Sequence, residues 1–179
     1  MGVIKLQQLA KSEPVPQLVK TLYHDSFPAD ERRDWAEFRA FAGNPESRFA
    51  IMGIYVGERM VGFISYWQFD GFRYVEHFAT DPSLRGAGIG GEAIRLFAAD
   101  GEDPVVLEVE PPSDGEMARR RIGFYERQGF TLHAEFEYIQ PPYSPDKSEL
   151  PLLLMTAGGE VDLPYATRQI HRAVYGRIN

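Results

Sequence analysis

Three runs of aromatic and β-branched residues follow one another closely: Phe49 to Val56, Met60 to Phe69 and Phe72 to Thr80. Gly57-Glu58 and Asp70-Gly71 punctuate them, and Asp-Gly between two such runs is a strong signal for a tight hairpin. Strands joined by turns this short must pair antiparallel. The middle of the chain therefore predicts three consecutive antiparallel strands.

Helices and further strands surround that block. Helical spacing predicts helices over about Gln17 to Ser26, Asp30 to Phe41, Gly88 to Ala99, Glu116 to Gln128 and Asp162 to Tyr175. Pro28 limits the first, and Gly129 is well placed as a left-handed cap for the fourth. Val3 to Leu6, Val105 to Val109, Phe130 to Tyr138 and Leu150 to Thr156 read as strands, with a stiff Pro141-Pro142-Tyr143-Ser144-Pro145 loop before the last. The prediction is one mixed α+β domain over residues 1–179, with a central, mostly antiparallel sheet of about six or seven strands flanked by helices. Residues 162–178 form its C-terminal helical extension. At 179 residues and 44% hydrophobic, one sizeable core can form.

Charge and residue usage narrow the chemistry. With 19 basic and 26 acidic residues the formal charge is −7, which disfavours nucleic acid and weakly favours a cationic substrate. The absence of cysteine removes disulfides, thiolate nucleophiles and Cys-ligated metals. His24, His77, His133 and His171 are scattered without ligand spacing, so no metal is expected. No basic segment followed by a long apolar run opens the chain, and no stretch reaches the length of a membrane span, so the expectation is a cytoplasmic protein away from membranes.

Arg85-Gly86-Ala87-Gly88-Ile89-Gly90-Gly91 carries the functional signal. Glycines let backbone N–H groups approach a ligand, and the following helix offers its positive end to an anion. A phosphate or pyrophosphate is the implied guest. Gly86, Gly88 and Gly91 also satisfy G-x-G-x-x-G, which would make the chain an NAD-dependent oxidoreductase with Glu108 or Glu110 on the ribose. Against that reading, five residues separate the glycines from the preceding strand, which is itself expected to be antiparallel. The P-loop pattern fails, since no Gly-Lys-Ser/Thr follows.

The segment from Phe78 to Gly90 resembles the acetyl-CoA signature of the GNAT superfamily of N-acetyltransferases, with Arg85, Gly88 and Gly90 at its defining positions. Gly123-Phe124-Tyr125-Glu126-Arg127-Gln128-Gly129-Phe130 is similar to a second family segment, and Leu107-Glu108-Val109 to the family's fifth strand. The resemblance implies the acyl-CoA N-acyltransferase fold and transfer of acetyl from acetyl-CoA to an amine, on a small molecule or a protein, in a ternary complex. It implies pantetheine binding by the backbone of Phe78, Ala79 and Thr80, and a pyrophosphate cradle from Arg85, Gly86, Ala87, Gly88, Ile89, Gly90 and Gly91. Tyr125 then stands as general acid toward the CoA sulfur.

The base is read from strand alternation, which places Tyr74, Glu76, Phe78 and Thr80 on one face and Val75, His77 and Ala79 on the other. Glu76 is the first candidate, Glu110 the second, and Glu108 shares the face of Glu110. His77 is expected to be structural. Where many family members carry an asparagine, this chain has Glu110-Pro111-Pro112-Ser113-Asp114. That departure keeps open a non-catalytic acyl-CoA-binding module. Arg119, Arg120 and Arg121 are a solvated helix face or a contact to the CoA 3′-phosphate. The C-terminal helix leaves a homodimer possible.

Overall fold

The computed structural model describes residues 2–177; Met1, Ile178 and Asn179 lie outside them, Ile178 being the end of the expected C-terminal extension. The elements run β1 (Ile4–Gln8), α1 (Gln17–Ser26), α2 (Trp35–Gly43), β2 (Phe49–Val56), β3 (Arg59–Phe69), β4 (Phe72–Thr80), α3 (Ile89–Ala99), β5 (Val105–Val109), α4 (Glu116–Arg127), β6 (Thr131–Leu132), β7 (Tyr138–Gln140), β8 (Leu150–Ala157) and α5 (Leu163–Ala173).

The expected antiparallel block is β2–β4, and β1 joins it on the outside. The sheet runs β1-β2-β3-β4-β5-β8-β6, with β7 also on β8. Among the described residues only β4 and β5 pair in parallel, because α3 carries the chain across between them. Among the described residues eight strands form rather than six or seven, since the run expected from Phe130 to Tyr138 breaks into β6 and β7. Between them Phe136 N–H turns back onto the His133 carbonyl (3.2 Å).

Both faces of the sheet are covered. On one, Val19, Tyr23, Phe38, Trp67, Tyr74, Leu154, Ala166 and Ile170 pack under α1, α2 and α5. On the other, Ile64, Val75, Ile94, Phe97, Leu107 and Ile122 pack under α3 and α4. The first is called the α1/α5 face below and the second the α3/α4 face. The C-terminal helix is part of the first layer: Ala166 and Ile170 are fully buried. Asp162 accepts a hydrogen bond from Tyr165 N–H (2.9 Å) and caps that helix.

One irregularity sets up the rest. β3 and β4 run in register from Phe69↔Phe72 to Tyr66↔Val75, then resume at Ser65↔His77. Glu76 is the extra residue of a β-bulge, and a bulge shifts by one the face to which every later side chain points. Glu76 and His77 consequently both face α1/α5, while Phe78 packs with α3/α4. The alternation expected across residues 74–80 fails at this bulge.

Candidate active site

The bulge coincides with the end of strand pairing on the other side of β4. β4 and β5 pair only through Arg73↔Val105, Tyr74↔Val106 and Val75↔Leu107. Beyond that point they part, and the backbone of residues 76–80 has no strand beside it on the β5 side. The opening is a cleft of ≈ 750 Å³ whose walls include Glu76, Phe78, Thr80, Glu108, Glu110 and Tyr125. Phe78, Ala79 and Thr80 also border a second hollow of ≈ 660 Å³ over the glycine turn. The slot therefore runs between the two faces of the sheet.

The glycine turn is built to present amides. Gly86 (φ 82°) and Gly88 (φ 75°) adopt left-handed conformations, and Gly88 caps α3 with no side chain closing the helix end. Intrahelical bonding starts at Glu92 N–H to the Gly88 carbonyl (3.1 Å), so the N–H groups of Ile89, Gly90 and Gly91 precede the first bond. A Cβ at Gly91 would come 2.9 Å from the Gln128 side chain, and Gly91 is buried. A Cβ at Gly90 would meet only ordinary contacts, with Phe78 at 3.5 Å. Gly88→Ala is expected to cost about 1 kcal/mol through its positive φ. It should also weaken anion binding at the turn, which calorimetric titration with inorganic pyrophosphate checks.

Tyr125 lies on α4, half-buried, with its ring against Phe124 and Phe130 (5.1 and 5.4 Å between centroids). Desolvation pushes its hydroxyl up to about 12, partly offset by Arg121. Glu110 lines the same cleft. Arg119, Arg120 and Arg121 are all exposed; Arg121 lines the cleft, whereas Arg119 and Arg120 donate to the Pro112 carbonyl and to Glu116.

Glu76 is not free to act as a base. Its carboxylate accepts from Arg33 Nη2 (2.6 Å), Trp67 Nε1 (2.8 Å) and Tyr143 Oη (2.7 Å), and both members of the ion pair are fully buried. Burial alone would raise its pKa, but Arg33, aided by His77, holds it below the usual carboxylate range. Arg33 also donates to the Val174 carbonyl (3.2 Å). Tyr23 Oη donates to the Arg33 carbonyl (3.0 Å) and accepts from its N–H (2.8 Å). His77 is structural, as expected: its Nε2 donates to the Glu31 carbonyl (2.7 Å), and burial depresses its pKa.

Glu108 has a different environment. Tyr74 and Tyr175 both donate to its Oε1, the second at 2.8 Å. Oε2 and the Tyr138 hydroxyl are both shut off from solvent beside each other, and that hydroxyl favours the ionised carboxylate as those of Tyr74 and Tyr175 do. Desolvation dominates, and the carboxyl is pushed up to about 7. Sequence reading placed Glu108 beside Glu110 but could not see three tyrosines from β4, β7 and the end of α5 converging on it.

The acetyltransferase (GNAT) family model matches residues 15–130. A solved structure from Bacteroides thetaiotaomicron, assigned to GNAT acetyltransferases, is 36% identical, covers 97% of this chain and 99% of that one, and superposes with a TM-score of 0.87. The chain belongs to the GNAT acetyltransferase family. YjbC of Bacillus subtilis (strain 168), which carries an acetyltransferase assignment, is 33% identical over 69 residues. That match spans 38% of this chain and only 35% of YjbC. A GNAT acetyltransferase from Elizabethkingia anophelis, solved with acetyl-CoA bound, shares the fold at 15% identity (TM-score 0.57, 86% and 97% covered). A dinucleotide fold needs a mostly parallel sheet, whereas among the described residues every strand pair of this GNAT protein but β4–β5 is antiparallel, which speaks against the dinucleotide reading of the glycines. Among the described residues no helix is long and apolar enough to cross a membrane.

Proposed function

We propose that this protein transfers the acetyl group of acetyl-CoA to a primary amine by direct attack in a ternary complex. The observation that carries the reading is the parting of β4 and β5 beyond Val75 and Leu107, with the open amides of the glycine turn on one side of the slot and Glu108 on the other. The residues fit the cosubstrate. The amides of Ile89, Gly90 and Gly91 suit a pyrophosphate at the start of α3. The unpaired edge of Phe78, Ala79 and Thr80 suits an extended amide-bearing arm. The acetyl-CoA in the Elizabethkingia anophelis protein supports the same ligand class.

In this reading the amine nitrogen attacks the thioester carbon, the carbon–sulfur bond breaks, and the sulfur takes a proton from Tyr125. One ammonium proton of the acceptor passes to Glu108 before attack, and the second proton that the nitrogen sheds as the carbon–sulfur bond breaks restores the Tyr125 phenol. Tyr125 comes from the α3/α4 side and Glu108 from the α1/α5 side, so acid and base address opposite sides of the slot. The base role moves from Glu76, which Arg33 neutralises, to Glu108.

Thermal denaturation with acetyl-CoA, CoA and NAD(H) in parallel tests the ligand. A hundredfold excess over Kd adds about 2.7 kcal/mol, hence roughly 5–10 °C. A shift with NAD(H) alone would sink the proposal. Tyr125→Phe is expected to lower kcat by about 10²-fold while leaving the acetyl-CoA Kd within twofold. Equal losses in both would remove its role as acid, and binding without turnover of any amine would leave an acyl-CoA-binding module.

A further inference from the structure

The hollow over the glycine turn has polar side chains on its wall from Thr80, Arg85, Glu92 and Gln128. Glu92 is taken up by Arg95, which donates to both its oxygens (2.7 and 3.0 Å). That pairing leaves the wall without an unpaired carboxylate among the described residues. Arg85 is exposed. Gln128 is half-buried where α4 ends, and among the described residues its carboxamide has no hydrogen-bond partner. A carboxamide carries two N–H donors, so an unengaged one on the wall of a ligand hollow is available to a guest.

Gly91 fixes where that carboxamide sits. Gly86 and Gly88 need glycine for their positive φ, whereas Gly91 is an ordinary helical residue of α3. What requires glycine there is Gln128: a Cβ would come 2.9 Å from its Nε2 and 3.2 Å from its Cδ. The missing methyl lets the carboxamide lie against the first turn of α3, where the N–H groups of Ile89, Gly90 and Gly91 precede the first helical bond. Donors gathered from two helices with no acceptor between them suit one anion. Gln128 N–H also bonds the Tyr125 carbonyl (2.9 Å), so the same residue closes the helix end that carries the proton donor.

We propose that Gln128 is a further binding residue for acetyl-CoA, its carboxamide donating to the pyrophosphate beside the open amides of α3. The inference rests on the acetyl-CoA reading for the identity of the ligand. Gln128 selects for the anion and not for the pantetheine arm, which follows the β4 edge at Phe78, Ala79 and Thr80. A neutral donor serves there because hydrogen bonds to a charged group are the strong ones. A carboxylate at the same position would face the phosphate oxygens with like charge.

The test titrates the full chain calorimetrically with inorganic pyrophosphate, CoA and pantetheine. Gln128→Ala is expected to weaken pyrophosphate and CoA by about tenfold and to leave pantetheine within about twofold. Gln128→Glu should weaken both anions by about 10²-fold, a loss that shrinks as salt is added. Gly91→Ala keeps the glutamine but displaces its flexible end, so it should cost as much as Gln128→Ala and nothing further in the double variant. Anion binding unaltered in Gln128→Ala overturns the proposal. A loss that extends equally to pantetheine overturns it too, because Gln128 then acts through the fold, and so does full additivity of the two alanines. Wild type that binds pyrophosphate, with the expected losses in the variants, but neither CoA nor pantetheine would uphold Gln128 as an anion ligand and overturn the acetyl-CoA reading instead. Wild type that binds none of the three overturns both.

Discussion

Arg33→Met is expected to destabilise the protein by about 3–5 kcal/mol, because it leaves the Glu76 carboxylate buried without its charge partner. For a domain of this size that is a fall in Tm of roughly 10 °C. Arg33 joins three segments distant in sequence. Its guanidinium meets Glu76 on β4 and the Val174 carbonyl after α5, and it lies over the rings of Phe41, Trp67 and Tyr143 at 5.0, 5.7 and 5.1 Å. The double variant with Glu76→Gln should recover part of the loss, since the stranded charge is gone. A double variant no more stable than Arg33→Met would show that packing, not charge, dominates.

The same pair sets a pH dependence whose sign is fixed. Glu76 has its pKa below the ordinary carboxylate value of 4.5 in the folded protein, because Arg33 beside it outweighs the cost of burial. Its contribution is therefore present above that value and is lost as pH falls through the depressed one. Without Arg33 the carboxyl can protonate at higher pH, so the gap in stability between wild type and Arg33→Met should narrow under acid. Because Glu76 is the bulged residue, the variant should also weaken acetyl-CoA binding: the bulge is where β4 leaves β5.

Local signals carried far in this chain and then stopped. Asp70-Gly71, the glycine turn and Gly129 mark real turns, because each depends on a residue that tolerates positive φ (85° at Gly71, 94° at Gly129). The resemblance at Arg85–Gly90 and Gly123–Phe130 led to the right family. The helix expected from Asp30 to Phe41 starts instead at Trp35, after a short 3₁₀ turn at Ala29–Glu31. Its first residues are needed elsewhere: Arg33 must reach Glu76, and the Glu31 carbonyl must accept from His77. These are long-range demands with no local periodicity to announce them. The bulge is similar, since alternation in β4 reads smoothly through Glu76 in sequence. An extra residue becomes visible only when β3 is laid beside it. Alternation alone therefore put Glu76 forward as the first candidate base and Glu110 as the second, with Glu108 beside it.

Glu108→Gln is expected to lower kcat by about 10²–10⁴, the usual yield of a positioned general base. The wild-type kcat/KM should fall on the acid side of about pH 7, where desolvation places this carboxyl, and that limb should vanish in the variant. Tyr175→Phe offers a finer test. Its hydroxyl donates to Glu108 Oε1 at 2.8 Å and favours the ionised form, so its removal should move the limb to higher pH without abolishing turnover. Stability gives a readout free of substrate. A carboxyl raised from 4.5 in the unfolded chain to about 7 in the folded one favours folding fully below the lower value, and that contribution is lost as pH rises through the upper one. Glutamine cannot ionise, so the variant should hold its stability between these two values while the wild type declines. If the decline is present but the kinetic limb survives in Glu108→Gln, Glu108 is a buried acid and not the base. Glu110, just beyond the end of β5 and lining the same cleft, would then inherit the role.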